Sequence, residues 1–251
     1  MNELPAEPLS RRDRQRADTV REIKETARTV LVEQGVDGLA LRAVARQMGM
    51  TAPALYRYFD SREDLVEHVV ADLYDELTDV LEAVRDAADP PSPGYQLLLV
   101  ARAFRRWATT HHAEFGLLFG SAAERVIEPG KLHGDGERPP QVAGRRFGGV
   151  FAELVGRIYL EQGFPVPDED DLDPALRDQL QAWCAKLPVA LPLGVMSVFL
   201  SCWIRLYGMV CMEVFGHLRF ALDDAEPMFE AELRALGVVL DVAGEYRPPA
   251  T

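Results

Sequence analysis

The 251-residue chain is poor in cysteine and lysine, and no strand-like alternation of useful length occurs in it. Its three cysteines, Cys184, Cys202 and Cys211, are odd in number, and each sits inside an apolar helical pattern. That excludes a disulfide framework, and no metal-ligand spacing links them. Only three of the 27 basic residues are lysine; with abundant alanine and valine, this points to a GC-rich bacterial coding sequence. The first ten residues have neither a basic n-region nor an apolar h-region, so no secretory signal is expected and a cytoplasmic location is. The most apolar run, residues 191–218, is interrupted by Pro192, Arg205, Glu213 and His217. It reads as a buried or interfacial helix and not as a membrane span.

Motifs of catalysis are also missing. There is no glycine-rich phosphate loop and no Ser-His-Asp or Cys-His arrangement at known spacing, so no cofactor is expected. The pair His111–His112 with Glu114 invites a metal reading. Adjacent residues do not point the same way on a helix, however, and no further ligand follows at a suitable distance. A pair favoured by a helix C-terminal dipole is expected instead, and no metal. An enzyme with a helical body, or a ligand-binding protein indifferent to DNA sequence, remains the competing class; salt-dependent, sequence-selective duplex affinity separates the two.

What is present is an uneven charge distribution. The whole chain has a formal net charge of −13. Residues 10–58 carry ten basic and six acidic side chains, a local net of +4, which leaves −17 for the remainder. A basic head on an acidic body suits an anion-binding module whose body avoids the same anion. A body this acidic also argues against a protein that coats DNA nonspecifically.

Nearly every segment reads helical, and the fold class is all-α. Residues 17–34 place Val20, Ile23, Ala27, Val30 and Leu31 at three-and-four spacing, with Gly35 as a stop. Short helices follow at 41–48 and 52–59. A longer one opens at Ser61, with Asp64 three residues on and an apolar stripe through Leu65, Val69, Leu73, Leu77 and Leu81. Further helical patterns lie near 95–112, 140–162, 173–186, 193–218 and 225–242, with polar, Gly/Pro-rich loops at 128–140 and 163–174.

The stretch LRAVARQMGMTAPALYRYF, residues 41–59, holds three arginines, two tyrosines and no carboxylate. Two helices this short are unstable alone and survive only packed on each other, which is how a helix-turn-helix is built. Val44, Ala45 and Met48 form an inner face, Gly49 supplies the turn, and Thr51 and Pro53 start the second helix. Leu55 and Phe59 turn inward, leaving Ala52, Ala54, Tyr56, Arg57 and Tyr58 outward or sideways, with Arg42 on the preceding helix. Hydroxyls and guanidinium groups suit phosphates and base edges, and methyl groups suit thymine. The island avoids carboxylates because it docks on a polyanion. The basic residues ahead of it, including Arg14 and Arg16, can reach phosphate or a minor groove as an arm.

Residues 17–80 resemble the DNA-binding domain of TetR-type transcriptional regulators. The pattern runs through Ala27, Gly35, LRAVARQMGM, LYRYF and the SREDL segment that follows. The resemblance implies a three-helix head whose third helix enters the major groove, joined by a long fourth helix to an all-helical ligand-binding and dimerisation body. It implies DNA contacts from Tyr56 and Tyr58 and a phosphate contact from Arg62. One departure is Ala40, where the family usually has a Thr or Ser cap; the loss amounts to about 1 kcal/mol and one phosphate-capable hydroxyl. The stretch WIRLYGMVCMEVFGHL at 203–218 resembles one C-terminal subfamily.

The resulting expectation is a disordered basic arm at 1–16, a helix-turn-helix domain at 17–60 and a body at 61–251. The protein is expected to be a homodimeric regulator, a repressor released from a palindromic double-stranded DNA operator by a small apolar or aromatic effector. Phe104, Trp107, Phe119, Phe151, Trp183, Met196, Phe199, Trp203 and Tyr207 are candidates for its pocket, against ordinary core packing. Gly208, Met212, Gly216, Phe229, Leu233 and Leu236 are candidates for the dimer interface, Arg205 and Glu213 for contact with a polar ligand group.

Overall fold

A computed structural model describes residues 10–120, 138–185 and 191–249. The described residues are helical throughout, without strands: α1 Arg11–Gly38, α2 Leu41–Gln47, α3 Ala52–Leu55, α4 Arg62–Asp86, α5 Pro93–Thr110, α6 His112–Phe119, α7 Pro139–Glu161, α8 Pro174–Cys184, α9 Leu193–Val214 and α10 Glu226–Val239, with short 3-10 turns at Glu169–Asp171 and Ala243–Glu245. The all-α expectation holds. The 128–140 loop expected from composition lies, up to residue 137, outside the described residues. Backbone contacts divide the chain into two compact units: Met1–Tyr74 with Ala113–Gly144, and Asp75–His112 with Arg145–Thr251. Helices α4 and α7 each contribute to both.

In the first unit, α1 buries Ile23, Ala27, Val30 and Leu31, the stripe legible in the sequence. It begins at Arg11, ahead of the expected residue 17, because Ser10 caps it: the Ser10 Oγ accepts from the Asp13 amide at 3.2 Å. Arg11, Arg12, Arg14 and Arg16 therefore stand on a helix and not on a free arm. Gly35, at φ 71°, ends the regular helix where a side chain would be strained. The start of α4 is fixed by Asp64, whose amide bonds the Ser61 hydroxyl at 3.0 Å while its carboxylate accepts from the Asp60 amide at 2.9 Å. Helix α6 does not stand out in the sequence. His111 leaves helical geometry between α5 and α6, a break that the continuous polar-apolar pattern conceals. The α6 carboxylate of Glu114 pairs with Arg28 of α1 at 3.1 Å, and the Leu118 carbonyl accepts from the Tyr74 hydroxyl.

In the second unit, the rings of Phe104, Phe147, Phe151 and Trp203 meet at centroid distances of 5.3 to 6.1 Å, joining α5, α7 and α9. Two bidentate clamps hold α5 to the C-terminal helices. Arg102 grips Glu230 of α10 at 2.8 and 2.7 Å, and Arg105 grips Glu213 of α9 at the same two distances. By length and composition α9 is apolar enough to cross a membrane. Both of its charged side chains face protein partners, Glu213 as above and Arg205 on Glu232 at 2.6 Å. Their pairing within the chain favours a fold-holding role over the ligand contact that the sequence leaves open.

Burial pushes the Glu230 carboxyl up, but the Arg102 guanidinium and the Tyr246 hydroxyl outweigh it and hold the carboxyl below the ordinary range. A depressed folded-state value contributes stability above the unfolded value of about 4.3, and the contribution is lost as pH falls through the folded one. Glu230→Ala leaves Arg102 nearly enclosed without its partner, and should lower the unfolding free energy by about 3 kcal/mol at pH 7 in urea titrations. The difference from wild type should shrink on acidification below the ordinary glutamate range.

Candidate nucleic-acid interface and internal cavity

The turn between α2 and α3 is a Schellman motif. The Met50 amide bonds the Ala45 carbonyl at 2.8 Å, the Gly49 amide bonds the Arg46 carbonyl at 3.1 Å, and Gly49 takes φ 66°. Val44, Ala45, Leu55 and Phe59 are buried as expected, with Leu41 beside them, while Met48, expected on the same inner face, is partly exposed. The regular part of α3 is only four residues; hydrogen-bonded turns carry the chain through Tyr58 to Phe59. Thr51 occupies the N-cap position without a side-chain cap bond, a correction to its expected capping role.

Arg14, Arg42, Thr51 and Arg57 are exposed, Tyr56 is half exposed, and Ala52 and Ala54 are partly exposed beside them. Asp60 and Glu63 are the nearest carboxylates downstream in sequence, and none lies between residues 38 and 59. Two expected contacts are partly occupied within the protein. Arg16 donates to the Arg57 carbonyl at 3.2 Å and lies over the Tyr58 ring at 4.9 Å, so both residues brace the end of α3. Arg62 pairs with Glu63 at 3.1 Å and reaches the Val36 carbonyl at 3.4 Å.

The second unit contains a small apolar cavity, with about 40 Å³ open to the centre of a water-sized sphere. Its walls come from α5 (Leu97, Leu98, Ala101), α7 (Phe151, Val155), α9 (Phe199, Cys202, Trp203, Leu206), α10 (Leu233, Leu236, Gly237) and the following Leu240 and Val242. Burial pushes the Cys202 thiol up to about 11, so it lines the wall as a neutral group. Of the nine expected pocket residues, Phe151, Phe199 and Trp203 line this cavity. Phe104 is fully buried against them, Tyr207 stacks on Trp203 at 5.5 Å, and Trp183 lies over Phe199 at 6.2 Å. Met196 and Trp107 are core residues; Trp107 stacks on His111 at 4.8 Å, and its indole nitrogen has no acceptor among the described residues. Phe119 belongs to the other unit, against Tyr74 and Phe115. The aliphatic side of the lining carries no sequence signal, since leucine at helical spacing describes any core.

The expected dimer residues divide as well. Gly208 and Met212 lie on a partly exposed strip of α9 with Ile204, which is 60% exposed. Nothing lies within 4 Å of where a Gly208 side chain would start. Phe229, Leu233 and Leu236 are buried inside their own chain, because α10 packs that face on α5 and α9. Its outward face shows Met228, Ala231, Ala235 and Val238 instead. Gly216, at φ 72°, ends α9 in a second Schellman motif and is there for its backbone angle.

The family model for the C-terminal domain of tetracyclin repressor-like proteins matches residues 97–236, and that for bacterial regulatory proteins of the tetR family matches residues 23–69. The HTH-type transcriptional regulator Mb1846 of Mycobacterium bovis is 32% identical over 228 residues, covering 87% of this chain and 90% of the relative. The chain belongs to the TetR family. It is a DNA-binding transcriptional regulator with the helix-turn-helix in α2 and α3. The repressor KstR2 of Mycolicibacterium smegmatis is 30% identical over 89 residues, 36% of this chain and 40% of that protein. Among solved structures, the regulatory protein SCO4313 superposes with a TM-score of 0.64 at 30% identity, covering 90% of this chain and 98% of its own. RolR in complex with resorcinol gives 0.51 at 19% identity, covering 95% and 100%.

One TetR-family departure is visible in the geometry. Ala40 has the extended backbone of an N-cap but offers α2 no side-chain acceptor. Ala40→Ser should raise stability by about 0.5–1 kcal/mol, read as a higher urea midpoint at unchanged slope.

Proposed function

We propose that this TetR-family regulator is a cytoplasmic homodimeric repressor that binds a palindromic operator through residues 17–60 and releases it when the body, residues 61–251, takes up a small apolar ligand. The observation that carries the DNA reading is the carboxylate-free outer surface of α2 and α3, with Arg42, Thr51, Ala52, Ala54, Tyr56 and Arg57 turned outward. Arg57 is the base reader, since it is exposed and long enough to reach guanine. Arg14 and Arg62 hold phosphate. Tyr58, clasped by Arg16, sets the height of the α3 end against the backbone.

The ligand reading rests on the uncharged cavity. A neighbour of the same fold, RolR, has been solved with resorcinol, and KstR2 is a repressor by name; both facts agree with this reading. Three of the cavity-lining residues belong to α5, which runs with one intervening residue into α6, and α6 holds α1 through Glu114 and Arg28. A ligand that shifts α5, or tilts α4, changes the spacing of two heads that must lie roughly 34 Å apart. Ligand and DNA then weaken each other equally.

Arg57→Ala should relax base preference at one position of each half-site, by about 1–3 kcal/mol, while nonspecific affinity falls much less. Affinities on a panel of single-base operator variants check it; a uniform loss would make Arg57 a phosphate clamp. The dimer reading rests on the apolar strip of Ile204, Gly208 and Met212 on α9 and on the exposed Met228 and Val238 of α10. Gly208→Leu has room in the single chain, so it should spare folding, shift sedimentation toward monomer and weaken operator binding.

A further inference from the structure

All but two of the cavity-lining residues belong to long helices, the two being Leu240 and Val242 at the C-terminal end of α10. There the chain turns back on itself. The Val242 amide bonds the Gly237 carbonyl at 2.7 Å, and Asp241 takes φ 56°, a backbone angle usually left to glycine. The 3-10 turn Ala243–Glu245 then brings the Glu245 carboxylate to the start of α5, where Ser92 provides no cap bond of its own. Glu245 accepts from the Ser92 hydroxyl and, at 2.9 Å, from the Tyr95 amide. It is an N-cap supplied from 150 residues away in sequence, its negative charge set at the positive end of the helix dipole.

The fit is close. A side-chain carbon on Gly94 would stand 2.4 Å from the Glu245 carboxylate and 2.7 Å from a Val242 methyl. Beyond the turn, Arg247 lies over the Tyr95 ring at 4.6 Å and its carbonyl accepts from Arg102 at 2.7 Å. Helical walls open only by repacking many side chains at once. This short segment buries Leu240 and Val242 at its base. The rest of it is tied by polar contacts: the Asp241 carbonyl to Gln162, Glu245 to the start of α5, and the Tyr246 hydroxyl to Glu230 and Arg234. It is the wall of the cavity that lies outside the long helices, the kind of short terminal segment that can open locally without moving a whole helix.

We propose that residues 240–247 form a strap over the apolar cavity, latched by Glu245 on the start of α5, which loosens to admit and release an uncharged ligand. The proposal rests on the cavity being the ligand site. Stopped-flow fluorescence of the full-length protein with the neutral probe N-phenyl-1-naphthylamine tests both. Glu245→Gln weakens the latch, and Gly94→Ala displaces it while favouring the helix that Gly94 occupies. Each should raise association and dissociation rates of the probe together, by about fivefold, with a smaller change in equilibrium affinity. Ala101→Phe, which fills the cavity, should abolish binding. If both latch variants keep wild-type rates while Ala101→Phe abolishes binding, the strap is no gate and the cavity reading survives. If wild type does not bind, or Ala101→Phe binds undiminished, the cavity reading falls and the strap with it.

Discussion

Neither half of the helix-turn-helix can exist without the other. Helix α2 has seven residues and α3 four, lengths at which an isolated helix is unpopulated in water. They persist because Val44, Ala45, Leu55 and Phe59 are buried together and Gly49 turns the chain at an angle that other residues resist. The large apolar side chains of the pair are thereby drawn inward, and what remains outside is mostly polar or basic and free of carboxylates. The recognition surface is what the packing constraint leaves over, and its chemistry follows from that.

This part of the molecule is legible in the sequence because each feature there has one physical use. A glycine after a short apolar helix, a small alanine at the crossing and an arginine-tyrosine run without acids seldom serve any purpose but this one. Arg16 is harder to place. Its sequence position suggests a reach toward DNA, whereas the geometry turns it onto Tyr58 and the Arg57 carbonyl, a long-range pairing that no spacing rule anticipates. The start of α1 differs from its expected position for a local reason: a single serine hydroxyl, Ser10, extends the helix through a run that composition alone describes as solvated charge.

The body is legible as helices and little more. Aromatic residues draw attention as pocket candidates, yet Trp107 fills the core, and aliphatic side chains, Cys202 and Gly237 complete the cavity lining. Likewise Phe229, Leu233 and Leu236 follow the right period on α10 but point to their own chain, since periodicity identifies a buried face without saying what buries it. The clamps Arg102–Glu230 and Arg105–Glu213 join residues more than a hundred positions apart, which accounts for charged side chains on otherwise apolar helices.

The proposed function requires two copies of the α2–α3 surface to read DNA together. Selection of bound duplexes from a random pool by the full-length protein tests it most directly. The expected result is an enriched inverted repeat whose half-sites are centred about one helical turn apart, with binding that falls steeply as salt rises. Recovery of no enriched sequence, or of a single unrepeated half-site at every stage of selection, would contradict it.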